Sequence, residues 1–263
     1  MTPPSGSVLN RAGTSVRHTF RSAKVILGFF FFWVGGILLA WVLFPWVFFI
    51  RDEPTRIRVS QRIVSAAFRL FHRYLSFARL LDISLAGRPP SDPGRRPFVY
   101  VANHPTLVDV TAILSQLPHL RCITNPRFTQ SPLFGHMLYA AGFLSAGGAT
   151  SVLEQARVAL EQQFDLLVFP EGTRSPLLAL HPFHRGAFEI AKRSNVAIVP
   201  LLITCDPPAL GKGQSMFAFP RLLARHSVRI LSAIHPSDYN TGTELCAAVE
   251  LCYRVALTMK PSP

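Results

Sequence analysis

The sequence has 263 residues, 49% of them apolar and only 16% charged, with a mean hydropathy of +0.29. That length holds one sizeable α/β domain with an appendage or two small domains, and the apolar content excludes a solvated disordered chain. Against it stand 27 Lys+Arg and 14 Asp+Glu, a formal charge of +13, so a polyanionic partner, either nucleic acid or an anionic membrane surface, has to be weighed.

In chain order, residues 1–24 are rich in Ser, Thr, Pro and Gly and carry Arg11, Arg17, Arg21 and Lys24, which reads as a mobile basic tail. Residues 25–50 carry no charge at all, whereas a bilayer-spanning helix needs about 20 apolar residues. The run is longer than a signal-peptide core and no A-x-A cleavage pattern follows it, so a retained membrane segment is expected, with Trp33, Trp41 and Trp46 as interfacial anchors. Two geometries fit: one tilted span, or a re-entrant hairpin broken at Gly35-Gly36 or kinked at Pro45. Residues 51–86 read as a basic amphipathic helix on the membrane surface. At about 100° per residue, Arg58, Arg62, Arg69 and Arg73 share one face, and Ile63, Ala67, Leu70 and Tyr74 take the other.

Of the charge, +10 precedes Phe98 and only +3 follows it. Because the basic region is fused to the apolar run and no aromatic-basic recognition module is present, nucleic acid is not the expected partner.

From residue 87 onward, short apolar runs alternate with helical patterns. Strands are expected at 98–102, 120–123, 143–145, 166–169, 197–203 and 228–234, with helices near 106–117, 132–140, 151–163, 186–193 and 244–259. Ser151 with Glu154 and Thr241 with Glu244 have capping-box spacing. The alternation predicts an α/β fold, a mostly parallel central sheet flanked by helices, with its ligand site at the carboxyl ends of the strands. Cys122, Cys205, Cys246 and Cys252 lack C-x-x-C spacing and fit a reduced, cytosol-facing domain.

Two constellations sit at strand ends. In Asn103-His104-Pro105-Thr106-Leu107-Val108-Asp109, the carboxylate lies one to one and a half turns beyond the histidine, where it can reach back to the imidazole. A carboxylate-held histidine is a general base, because its partner fixes the tautomer and stabilises the imidazolium that forms. In Phe169-Pro170-Glu171-Gly172-Thr173-Arg174-Ser175, Gly172 lets the backbone approach a ligand, and Thr173 and Arg174 can donate to phosphate oxygens. His181 and His184 make an H-x-x-H with no third ligand nearby, so no metal site is expected.

These two blocks, with Phe183 to Phe188 and Val199-Pro200-Leu201 after them, resemble the four motifs of the glycerolipid acyltransferases, the 1-acylglycerol-3-phosphate acyltransferase family, in order and spacing from about Phe98 to Ile203. The resemblance implies that residues 87–263 form the acyltransferase domain. It implies transfer of a fatty acyl group from an acyl-CoA or acyl-carrier-protein thioester to the hydroxyl of a lysolipid, most simply 1-acylglycerol-3-phosphate, with no cofactor beyond that co-substrate. His104 would be the base and Asp109 its orienter. Glu171, Gly172, Thr173 and Arg174 would bind the acceptor, Arg174 at its phosphate. The implied location is the cytoplasmic membrane, with the catalytic domain facing the cytosol and membrane lipids as partners.

Two positions depart from the family pattern. The stretch Gly142 to Gly148 lacks the arginine usual in the second block, and His184 stands where a lysine is usual. A lost charge-assisted phosphate contact costs about 1.5 to 3 kcal/mol. Arg127 and Arg185 are the candidate substitutes. The departures also leave room for a different acceptor, such as a lyso-ornithine lipid or a specialised lipid or polyene hydroxyl. A non-catalytic membrane-anchored lipid-binding protein is the alternative of another class.

Overall fold

The computed structural model describes residues 6–90, 97–176, 179–215, 219–220 and 222–258. Its centre is a seven-stranded sheet: β1 (Leu81–Ala86), β2 (Val99–Ala102), β3 (Leu120–Thr124), β4 (Leu144–Ser145), β5 (Asp165–Val168), β6 (Ile198–Asp206) and β7 (Ala224–Ile230), in the order β1-β7-β6-β2-β5-β3-β4. Every pairing is parallel except β6 with β7. The nine α-helices among the described residues are α1 (Gly6–Leu38), α2 (Phe44–Val47), α3 (Glu53–Phe77), α4 (Asp109–Gln116), α5 (Pro126–Thr129), α6 (Gly135–Ala140), α7 (Ala149–Glu161), α8 (Gly186–Ser194) and α9 (Gly242–Thr258).

Both faces of the sheet are covered, as the near-continuous apolar strands require. Val99, Val101, Leu166, Val168, Ile198 and Leu202 point to one side, against Ala156, Phe188 and Tyr253 of α7, α8 and α9. Their neighbours Tyr100, Ala102, Leu167, Val199, Leu201 and Ile203 point to the other, against Ile113 and Leu114 of α4. This period of two in burial is the pleat itself.

Three sequence expectations change. The backbone of residues 6–24 continues α1 rather than forming a tail, because the strongly helical apolar run propagates upstream and nothing between Gly6 and Lys24 breaks it; residues 1–5 lie outside the described residues. The basic helix ends at Phe77, and Leu81–Ala86 forms strand β1 instead of its last turns. Asp82, Ser84 and the alternating exposure of this edge strand hid it from a search for apolar runs. β7 starts four residues earlier than expected, at Ala224, and runs antiparallel to β6, which brings His226 into the sheet.

α3 also distributes its faces differently. The stripe buried on the domain is Ile57, Gln61, Val64, Ser65, His72 and Leu75, while Leu70 is 70% exposed. Tyr74 packs on Phe31 and Phe71 on Phe32, and the Tyr74 hydroxyl donates to the Lys24 carbonyl at 2.7 Å, so α1 and α3 form an antiparallel hairpin. Gln61 Nε2 donates to the carbonyls of Leu120 and Ala141, tying that hairpin to β3 and α6.

Between α1 and α2 lies a π-helical turn, Leu39–Leu43, immediately before Pro45. A π-turn pairs each carbonyl with the amide five residues on, and for Ala40 that residue is Pro45, which has no N–H. His136 Nε2 of α6 donates to the Ala40 carbonyl instead, at 2.7 Å.

Gly142, in the turn leading to β4, has φ +74°, and a Cβ there would stand 2.9 Å from Ile57 Cγ2 and 3.0 Å from Arg121 Nε. Gly142→Ala should therefore lower stability by about 1 to 3 kcal/mol, read as a fall in the urea midpoint at unchanged m-value.

Candidate active site

β2 and β5 lie side by side, and each hands its carboxyl end to one of the two constellations. Asn103 follows β2 and bridges to β6: its Nδ2 donates to the Ile203 carbonyl at 2.9 Å and its Oδ1 accepts from the Ile203 amide at 2.7 Å. That clamp fixes the backbone from which His104 projects.

Asp109 begins α4 and is fully buried. Its Oδ2 accepts from His104 Nδ1 at 2.8 Å and from the Thr106 amide at 2.7 Å. Its Oδ1 accepts from the Thr106 hydroxyl and from Nε2 of His226, at 2.7 Å. Burial by itself pushes this carboxyl up; the opposing contributions of His104 and His226, chiefly their hydrogen bonds, outweigh it and hold Asp109 below the ordinary carboxylate range. A carboxyl lowered in the folded state adds stability that is present above its ordinary pKa and disappears as pH falls through the lowered value.

The His104 side chain is 21% exposed, with its ring 4.6 Å from that of Phe169. Its Nδ1 is held by Asp109, and no group among the described residues takes up Nε2. A neutral imidazole with its hydrogen on Nδ1 thus carries an available lone pair on the accessible side, which is the arrangement of a general base.

Glu171 is buried, and three donors converge on its carboxylate. Oε1 accepts from the His104 amide at 3.1 Å and from the Ser175 hydroxyl, and Oε2 accepts from the His181 amide at 2.8 Å. The Ser175 amide in turn donates to the His104 carbonyl at 2.7 Å. The loops after β2 and β5 are therefore laced together through Glu171, whose oxygens are committed within the protein.

Gly172 has φ +64°, and a Cβ there would crowd the His184 imidazole at 3.2 Å, so this turn depends on glycine. Thr173 is exposed. Arg174 Nη1 donates to the carbonyls of Leu210 and Gly211, and the Leu210 carbonyl also accepts from the Leu107 amide, so Arg174 is steadied by a loop that touches the His104 block. Arg185 is exposed at the start of α8 with Nη1 on the Thr243 hydroxyl. Arg127 is exposed on α5 with its guanidinium over the Phe128 ring. His104, Asp109, Glu171 and Ser175 thus form one hydrogen-bonded unit with Gly172 and Arg174 beside it; no hydrogen bond among the described residues joins Arg127 or Arg185 to that unit.

Burial pushes the Cys122 thiol up to about 12 and the Cys205 and Cys246 thiols up to about 11, so these cysteines are protonated and not poised as nucleophiles. Among the described residues no group of three or more His, Cys, Asp and Glu is arranged to hold a metal ion.

Comparison with known proteins agrees with this geometry. The family described as Acyltransferase matches residues 86–204, which contain both constellations. The 1-acyl-sn-glycerol-3-phosphate acyltransferase alpha of Mus musculus is 29% identical over 203 residues, 74% of this chain and 68% of that protein. The proteins of the same name from Ovis aries and Homo sapiens are 30% and 32% identical, covering 70% and 62% of this chain and 66% and 59% of their own. The chain thus spans about three-fifths to two-thirds of these relatives. The crystal structure of the 1-acyl-sn-glycerophosphate (LPA) acyltransferase PlsC from Thermotoga maritima shares the fold, with a TM-score of 0.70 at 20% identity over 95% of this chain and 99% of that one. Taken with the sheet topology and the paired strand-end motifs, these matches show that residues 86–204 carry an Acyltransferase-family region and that the chain resembles the 1-acyl-sn-glycerol-3-phosphate acyltransferases.

Proposed function

We propose that the protein is a membrane-bound O-acyltransferase that moves a fatty acyl group from an acyl-CoA or acyl-carrier-protein thioester to the free hydroxyl of a lysophospholipid, 1-acylglycerol-3-phosphate first. The observation that carries this reading is the His104–Asp109 pair at the carboxyl edge of the sheet, with Nδ1 held and Nε2 available. His104 Nε2 takes the acceptor's hydroxyl proton as that oxygen attacks the thioester carbonyl. The C–O bond forms, the C–S bond breaks, and the imidazolium returns its proton to the departing sulfur, so the donor leaves as a free thiol and His104 is neutral again. Asp109 holds the tautomer and stabilises the imidazolium. No acyl-enzyme is required, in keeping with the buried thiols and with a sequence that has no G-x-S-x-G elbow. No metal or other cofactor enters the reaction.

On this reading Gly172 and Thr173 offer backbone and hydroxyl to the acceptor and Arg174 meets its phosphate, with Arg127 and Arg185 as supplementary cations. Glu171 acts by holding the two loops in register. The arginine-free stretch Gly142 to Gly148 favours, as a second reading, a phosphate-free acceptor. Purified protein given labelled acyl-CoA or acyl-carrier-protein against lysophosphatidic acid, lyso-ornithine lipid and neutral hydroxyl lipids separates the two. Transfer to lysophosphatidic acid supports the first; an inert lysophosphatidic acid beside an active phosphate-free acceptor supports the second; no transfer to any acceptor contradicts both.

Membrane attachment is supported by the 27-residue span Arg21–Val47, whose most apolar 18-residue window has a mean hydropathy of 2.4 and whose outer face leaves Phe30, Phe31, Trp33, Trp41, Trp46 (69%) and the adjoining Phe49 (77%) exposed. An apolar patch of this kind marks an interaction surface. The α1–α3 hairpin favours re-entrant insertion over a full crossing, since α3 turns back along α1 carrying exposed Arg58, Arg62, Arg69 and Arg73 suited to anionic headgroups. A cytosolic donor then requires the His104 side to face the cytosol. Replacing Trp41, Trp46 and Phe49 together by serine should lower co-flotation with anionic vesicles by at least about tenfold, since each buried aromatic contributes about 1.5 to 3 kcal/mol; unchanged flotation would argue against attachment through this face.

A further inference from the structure

His226 lies 117 residues beyond Asp109 in the chain, outside every motif of the family and outside residues 86–204, yet it donates to the same carboxylate as the proposed base. It is fully buried on β7, which runs antiparallel to β6 and carries the imidazole beneath α4. Its Nε2 stands 2.7 Å from Asp109 Oδ1, an atom that can only accept, so Nε2 carries a hydrogen. Its Nδ1 is buried without a hydrogen-bond partner among the described residues. A hydrogen there would be an unpaired buried donor on a charged ring, whereas a bare lone pair is the less costly orphan. His72 of α3 is its electrostatic neighbour; burial pushes His72 down to about 3, and its Nε2 is paired with the Thr111 hydroxyl at 2.9 Å.

We propose that His226 is a positioning residue for acyl transfer, holding Asp109 Oδ1 through a neutral Nε2–H so that Oδ2 stays aligned on His104 Nδ1 and the negative charge is left for the His104 imidazolium to meet. Among the described residues, Asp109 Oδ1 otherwise has only the Thr106 hydroxyl, from the same turn, to fix its rotation. A donor from β7, two strands from β2 in the sheet, makes the carboxylate plane a property of the whole fold. A doubly protonated His226 would neutralise that charge before His104 could use it. This rests on the proposed role of His104, but its central statement can be tested without turnover.

The test has two arms. Nitrogen-15 histidine spectra of the wild-type protein should show one buried imidazole, assigned by its loss in His226→Gln, with hydrogen on Nε2 and none on Nδ1. Hydrogen on Nδ1, or on both nitrogens, overturns the proposal. In the kinetic arm, His226→Leu should lower kcat by about 10- to 100-fold, the usual reach of a partner that orients a functional histidine, with KM for donor and acceptor within about twofold. His226→Gln, whose Nε2 can reach the same carboxylate oxygen, should restore most of that loss. Wild-type kcat in folded His226→Leu, or His226→Gln as impaired as leucine, overturns it. Should the leucine variant not fold, the glutamine variant and the spectra decide. If the wild-type protein transfers no acyl group at all, the acyl-transfer reading fails while the tautomer is still read from the spectra.

Discussion

His104→Ala should lower acyl transfer by about 10²- to 10⁴-fold, the contribution of a well-placed general base, while the protein remains folded. The two effects separate because His104 is held in place by its backbone: the amide donates to Glu171 and Ser175 and the carbonyl accepts from Ser175, and alanine keeps all of these bonds. Asp109 would lose one of four donors and keep Thr106 and His226, a cost near ~1 kcal/mol. Affinity for the lysolipid should change little, since the imidazole acts chiefly on the proton that moves in the transition state. The expected pattern is a collapse of kcat with KM nearly unchanged and a thermal midpoint within a few degrees of wild type.

Asp109→Asn should be at least as damaging to catalysis and more damaging to the fold. All four hydrogen bonds to Asp109 come from donors, so an amide NH₂ in place of either oxygen meets a donor head-on. If it faces His104, the imidazole has to move its hydrogen to Nε2 and loses the lone pair that takes the acceptor's proton; this tautomer error costs a Ser-His-Asp enzyme about 10⁴-fold in kcat. If it faces His226, that fully buried imidazole either loses its Nε2 partner or moves its hydrogen to Nδ1, where it is a buried donor with no partner among the described residues. Each arrangement leaves buried polar groups unpaired, at about 1 to 3 kcal/mol apiece. Rates should fall by about 10³- to 10⁴-fold, and the urea midpoint should fall clearly below that of His104→Ala.

The sequence carried the local part of this site and missed the long-range part, for a physical reason. His104 and Asp109 lie within two helical turns of each other, and Glu171 to Ser175 form one tight turn, so pattern and strand position locate them. The resemblance implies an acceptor contact for Glu171, and only the structure shows the amides of His104 and His181 donating to its oxygens, because those donors lie 67 and 10 residues away in the chain. His226 carries no local signal. It sits in Ala-Arg-His-Ser-Val-Arg-Ile, whose polar residues conceal a strand, and only the antiparallel pairing of β7 with β6 turns it toward α4. Asn103, which clamps β2 to Ile203, was legible as part of the first motif but not as a bridge to β6. The fold was readable where parallel strands are continuously apolar, and obscure at β1 and β7, the two reversed strands at one edge of the sheet with partly exposed faces.

At the N-terminus the same logic runs the other way. The apolar run was unmistakable in the sequence, but its geometry depended on partners far along the chain: Tyr74 and Phe71 on α3, and His136 accepting the role of the amide that Pro45 lacks at Ala40. Part of the charge that left nucleic acid and membrane both open, Arg58, Arg62, Arg69 and Arg73, is exposed on α3 of this hairpin, and the sequence after Phe98 has so little net charge that acceptor recognition rests on individually placed groups such as Arg174.

The most direct test of the central claim is a single-turnover measurement of ester formation from a labelled thioester and lysophosphatidic acid, run with wild type and His104→Ala at equal protein, with the intact mass of the protein recorded after donor alone. The account predicts ester formed by wild type, its loss in His104→Ala, and no acyl group on the protein. Ester formed at the wild-type rate by His104→Ala, or an acyl mass added to the chain, would contradict it.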